Sequence, residues 1–131
     1  EYLRYFFGNS VIDYLKTKNL NEIKFEDNNK LEIICIPPWE IEKLNIQIDH
    51  FHNADSFVEM PIEVVNNYKK YIFKNKVKEI SLISYENFDL NTTFDPNRLV
   101  EIFDNKLSFK KFSGAIKDQD RNSFYYYGKN F

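Results

Sequence analysis

The stretch KLNIQIDHFH, Lys43 to His52, alternates strictly between apolar and polar residues. Leu44, Ile46 and Ile48 fall on one side and Asn45, Gln47 and Asp49 on the other, the two-residue period of a strand buried on one face. Counting on by two and by four residues lands on His50 and His52. The period therefore places both histidines on the apolar side, with Asp49 and Phe51 pointing away. They are the only two histidines in the chain. A zinc site takes four ligands, or three and a water, and the nearest further candidates are Asp55, Glu59 and the single thiol of Cys35. The reading that follows is a strand end whose histidines are partly buried and hydrogen-bonded. It assigns no catalytic residue, metal or cofactor. A carboxylate-assisted metal site at His50 and His52 is the competing reading.

Working back from Lys43, Pro37-Pro38 ends a strand, since neither residue can donate to a ladder. Before it, NEIKFE (Asn21–Glu26) and KLEIICI (Lys30–Ile36) are strand-like, and the intervening DNN is turn chemistry, which predicts a hairpin. Cys35 in that second run is expected to be a buried, inert thiol. At the N-terminus, Leu3, Phe6, Phe7, Val11, Tyr14 and Leu15 follow helical spacing. Ser10-x-x-Asp13 resembles a capping box that starts a helix at Val11 and carries it to Lys18, with an extension backward past Gly8. Working forward, Pro61 opens a helix with Ile62, Val65, Tyr68 and Ile72 on one stripe. EISLISY (Glu79–Tyr85) reads as a strand. In FDPNRLVEIF (Phe94–Phe103), Asp95 is the N-cap and Pro96 the first helical residue. KLSFKKFSGAI and SFYYYGK flank a polar turn as a terminal hairpin. The order α-β-β-β-α-β-α-β-β predicts an α+β fold, a mostly antiparallel sheet of about six strands with about three helices packed on it.

A chain of 131 residues, 43% hydrophobic and 18% aromatic, is long and apolar enough for one domain spanning 1–131. It has no apolar run of membrane-spanning length, and its opening EYLRYFFGNS is too short and polar for a signal peptide. One cysteine permits no internal disulfide. These features together predict a cytoplasmic protein.

The net charge of −2 hides strong blocks. Asn21 to Glu63 holds ten acids against three lysines, while Val64 to Lys78 holds five lysines and no acid. Blocks of one sign steer partners of the other. NNYKKYIFKNKVK interleaves lysines with rings, as a nucleic-acid surface does. On a helix, however, Tyr68 and Ile72 turn inward, so no direct nucleic-acid contact is expected. Gly8, Gly114 and Gly128 are isolated, so the sequence carries no phosphate loop or dinucleotide fingerprint.

In size, acidity, aromatic content and want of a catalytic motif, the whole chain resembles the small immunity proteins that protect bacteria against contact-dependent or polymorphic toxins. The resemblance implies a non-enzymatic protein that binds one cognate toxin domain, often a nuclease, and blocks its active site. The partner surface expected from the acidic block comprises Trp39, Glu40, Glu42, Asp49, Asp55, Phe57, Glu59 and Glu63, rings as anchors and acids for steering. The rings have a competing place in the core. A metal-dependent hydrolase built on His50, His52 and nearby carboxylates, or an adaptor module, are the alternative functions.

Overall fold

Gly8 sets the course of the N-terminal segment. Helix α1 (Tyr2–Phe7) stops there because Gly8 takes φ 51° and ψ −124°, a conformation that L side chains rarely adopt. A single 3-10 turn (Gly8–Ser10) follows, and then strand β1 (Val11–Ile12). The helix expected from Val11 therefore starts later, as α2 (Tyr14–Thr17) with Asp13 at its N-cap. No side-chain capping bond forms there; the Asp13 carboxylate is engaged by the Arg4 guanidinium at 2.6 Å.

The computed structural model describes residues 1–85, 95–104, 108–118 and 121–129. The chain divides into two compact units, Glu1–Ile46 and Gln47–Phe131. Among the described residues, no helix is long and apolar enough to cross a membrane.

In the first unit the predicted hairpin is replaced by other pairings. β1 runs parallel to β2 (Ile33–Ile34), and Ile23 forms an isolated parallel bridge with Leu44. The DNN turn is held by side chains instead of a ladder. The Glu32 carboxylate accepts the Glu26 N–H at 2.9 Å and the Asn28 amide at 3.0 Å, and Asn28 Oδ1 accepts the Lys30 N–H at 2.8 Å. Such local bonds compete with strand pairing and here they win. Pro38–Lys43 forms a 3-10 turn, in keeping with the stop expected at the prolines. Cys35 is half-buried, not enclosed, because the two-stranded sheet that holds it gives it little cover.

The second unit follows its local signals closely from Pro61 onward, whereas the strand expected over Lys43–His52 begins only at His50 and runs to Ala54. Strand β3 (His50–Ala54) leads through α3 (Ile62–Lys74) to β4 (Glu79–Tyr85). α3 buries Val65 and Ile72 and ends at Asn75, after which Lys76 takes a left-handed φ of 53°. α4 (Pro96–Asp104) is capped as expected, with Asp95 Oδ1 accepting the Asn97 N–H at 2.8 Å. β5 (Ser108–Asp118) and β6 (Arg121–Lys129) form the terminal hairpin, with a bulge between Ser113 and Lys117.

These four strands form one sheet in the order β3-β4-β6-β5. β3 and β4 are parallel, and the other two pairings are antiparallel. The fold is thus α+β as expected, but the sheets are two, of two and four strands and mixed, not one mostly antiparallel sheet of about six. A helix between β3 and β4 returns the chain to the end it started from, which makes the pair parallel. Both α3 and α4 pack on the same sheet face. Val65, Ile72, Leu99 and Phe103 meet Ile80, Leu82 and Tyr126 there, with Phe51, Phe109 and Phe124 partly buried around them.

Candidate functional site

The two-residue alternation slips at Asp49. Ile48 and Phe51, three residues apart, both pack against the core, and Asp49 is a bend between them. Ile48 is tied at both backbone groups, donating to Asn75 O and accepting from Lys78 N–H, each at 3.0 Å. Only from His50 onward does the chain enter the ladder with β4. The slip puts His50 and His52 on the sheet face opposite the helices. Both are exposed, contrary to the partly buried position that the period predicted. Their hydrogen bonding is as expected.

The pairing register assembles a polar cluster around them. His52 lies beside Ser81, and Ser81 beside Tyr127; His50 lies beside Glu79, and Glu79 beside Lys129. Cross-strand partners share a face, so all six side chains rise from the same side of the sheet. The Ser81 hydroxyl is 2.7 Å from His50 Nε2 and 2.7 Å from His52 Nδ1. One hydroxyl carries one proton. It donates to one ring at most, and the other ring must donate its N–H to the hydroxyl oxygen. Ser81 itself is only 1% exposed, on a central strand and overhung by the two rings.

Glu79 supports this cluster from the side. Its Oε2 is 3.6 Å from His50 Nδ1, and its Oε1 is 3.0 Å from the Lys129 ammonium. A hydrogen bond from the Tyr127 hydroxyl, then one from Lys129, holds the Glu79 carboxyl below the usual carboxylate range. In return, burial and Glu79 push the Tyr127 hydroxyl up, and Glu79 raises Lys129. The Tyr127 ring stacks on the His50 ring at 6.4 Å.

An acid, a histidine and a serine in this sequence have the hydrogen-bond order of a nucleophilic triad. The burial of Ser81 mid-strand leaves a substrate no approach to it. Among the described residues, no group of three or more His, Cys, Asp and Glu could hold a metal ion. Neither Asp55 nor Glu59 is brought to the histidines as a ligand set.

The residues expected at the partner surface divide between the two units. Trp39, Glu40 and Glu42 belong to the first unit, and Asp49, Asp55, Phe57, Glu59 and Glu63 to the second. Trp39 is 69% exposed and meets the Tyr14 ring edge-on at 6.4 Å. Glu40 is buried, bonded to the Thr17 hydroxyl at 3.1 Å and paired with Lys43, so it offers nothing to a partner. Phe57 is 2% exposed, stacked between Phe51 and Phe103 in the core. Asp49 is exposed but paired with Lys78 at 2.6 Å, which holds its carboxyl low. Asp55 is half-buried at a positive φ of 58°, while Glu42, Glu59 and Glu63 are exposed.

Sequence reasoning missed the first unit's exposed rings, because the helical spacing of Leu3, Phe6 and Phe7 reads as a core-facing stripe. In α1 no residue is buried. Tyr2, Tyr5 and Phe6 are 76%, 84% and 58% exposed, and Leu15 in α2 is 71% exposed. The Phe6 ring meets both tyrosine rings edge-on at 5.0 Å. No protein-family model, characterised protein or solved structure matches the chain.

Proposed function

We propose that the chain is a cytoplasmic immunity protein, a non-catalytic inhibitor that binds a cognate bacterial toxin domain and blocks its active site. The observation that carries this reading is the exposed aromatic surface of the first unit. Tyr2, Tyr5, Phe6, Leu15 and Trp39 each leave more than half of their surface to solvent. A six-residue helix with no fully buried side chain gains little from packing, and helices this short are marginal alone. Large rings in an exposed group are the residues from which interfaces draw most of their energy.

The acidic block from Asn21 to Glu63 supports a basic partner, because a nuclease cleft is lined with cations to hold phosphates. Of the acids expected at the partner surface, Glu42, Glu59 and Glu63 are exposed and steer such a partner. Phe57 and Glu40 drop out of the binding set, and Trp39 remains in it as an anchor.

The test is protection and affinity against the toxin domain encoded beside this gene. Co-expression should restore growth, and binding should bury Trp39, the chain's one tryptophan, with a blue shift of its fluorescence. Trp39→Ala and Tyr5→Ala should each weaken binding by about thirtyfold, the roughly 2 kcal/mol of a hot-spot truncation. Full protection by the double variant would remove these rings from the mechanism. Absence of protection by the parent chain would end the immunity reading.

A further inference from the structure

The sheet face opposite the helices extends beyond the histidine cluster. Strand register sets Lys110 beside Tyr127 and Phe112 beside Tyr125, and puts all four on the face that carries His50 and His52. Phe112 is 50% exposed, Lys110 and both histidines are exposed, and the two tyrosines are half-buried. We propose that this face binds single-stranded nucleic acid, stacking bases on Phe112, Tyr125 and Tyr127 and holding phosphates with Lys110 and Lys129.

Such a surface needs ring faces and cations beside them. The Phe112 and Tyr125 ring centroids are 6.1 Å apart, and those of His50 and Tyr127 are 6.4 Å apart with the rings 20° from parallel. Near-parallel rings at that separation are offset, not eclipsed, and leave surface over which a base can lie. The Tyr127 hydroxyl donates to Glu79 on the next strand, which tethers the ring across the sheet. Tyr125 and Tyr127, two residues apart, are spaced by about 6.8 Å along their strand. That is about twice the 3.4 Å step between bases along one strand of a duplex, so the rings match an extended strand with its bases parted. Charge agrees with this ligand. Among the described strand side chains of this face, Glu79 is the one acid, and the Lys129 ammonium meets it at 3.0 Å. An ammonium has further donors for a phosphate, and this one lies 5.6 Å from the Tyr127 ring centroid. The lysine-rich α3 takes no part, because it packs on the other face of the sheet. The rings of the first unit, on which the immunity reading rests, take no part either, so the two readings stand or fall separately.

The experiment titrates the untagged chain into dye-labelled single strands of about ten nucleotides, as RNA and as DNA, and reads fluorescence anisotropy. Saturable binding is expected for at least one of the two, tighter than for the duplex of the same sequence and weaker as salt rises. Phe112→Leu and Tyr125→Leu keep an apolar side chain but lose the ring, and each should lower affinity about fivefold or more, whereas Phe112→Tyr should preserve it. Lys110→Ala should reduce the slope of log affinity against log salt by about 0.7, the share of one phosphate contact. Lys70→Ala, on an exposed lysine of α3, should leave affinity unchanged. No saturable binding of either single strand overturns the proposal. So does duplex binding as tight as single-strand binding, equal competition by polyglutamate, or affinity that survives both leucine substitutions. The duplex and polyglutamate arms use the parent chain, so they decide the matter even where a variant fails to fold.

Discussion

Gly128 stands opposite Phe109 in the register of β5 and β6, and the phenylalanine ring fills the space a side chain would need. A methyl group there would lie 2.9 Å from two ring carbons, closer than carbon atoms pack. Gly128→Ala should therefore destabilise the protein by about 1–3 kcal/mol, the usual cost of overpacking, read as a lower urea midpoint. Removal of a ring costs more where the ring is enclosed. Phe57→Ala should cost about 3–5 kcal/mol, because Phe51, Phe103 and Tyr68 all lie against that ring. Trp39→Ala, at a site 69% exposed, should leave the same midpoint within about 0.5 kcal/mol. In the sequence these two residues look alike, each a large ring in an acidic stretch. Only the tertiary surroundings separate them, since local pattern carries no account of what packs against an exposed turn. The histidines show the same limit. Alternation placed them two by two with Ile48, and a single bend at Asp49 moved both to the other face.

Among the elements, those with complete local signals stand where the sequence puts them. In α3 a proline precedes the apolar stripe. In α4, Asp95 and Pro96 supply cap and first turn together, so Asp95→Ala should cost about 1 kcal/mol of stability, measured by thermal melting. The Asn21–Ile36 hairpin did not form, because its strands had turn residues between them but no apolar face that required their pairing. Ile23 and Ile33 found partners elsewhere along the chain, at Leu44 and Val11. The polar face of the sheet was illegible for a related reason. Ser81, Glu79 and Tyr127 meet the histidines only through strand register, which no single segment encodes. That face also sets a pH dependence. Tyr127 and Lys129 hold the Glu79 carboxyl low, so its contribution is fully present above the ordinary carboxylate range. The contribution is lost as pH falls through the lowered value. Glu79→Gln should melt below the parent at neutral pH, and the gap should close as the pH is taken below the carboxylate range. A gap that widens in acid would contradict the assignment.

At the scale of the molecule, the two units differ in what they bury. The second contains the whole four-stranded sheet, both longer helices and the apolar cluster between them. In the first, Val11, Thr17, Ile23 and Glu40 are the buried side chains, two of them polar. Residues 47–131 expressed alone should therefore give a cooperative thermal transition, whereas residues 1–46 alone should show none, since so small a segment cannot bury enough surface to stand by itself. Length and composition alone do not register how unevenly the apolar surface is spent. The strand order β3-β4-β6-β5 also bears on how the protein is made. β6 is translated after every other strand, yet it fills a central place, between β4 and β5. A growing chain that carries β3, α3, β4, α4 and β5 has β4 with one side unpaired and β5 with no partner in the sheet. The sheet closes only after Lys129 has cleared the ribosome, so this unit matures after synthesis of its strands and not alongside it. Until then β4, with its Ile80, Leu82 and Tyr85, is a bare strand edge, and this is the interval in which a chaperone has something to hold.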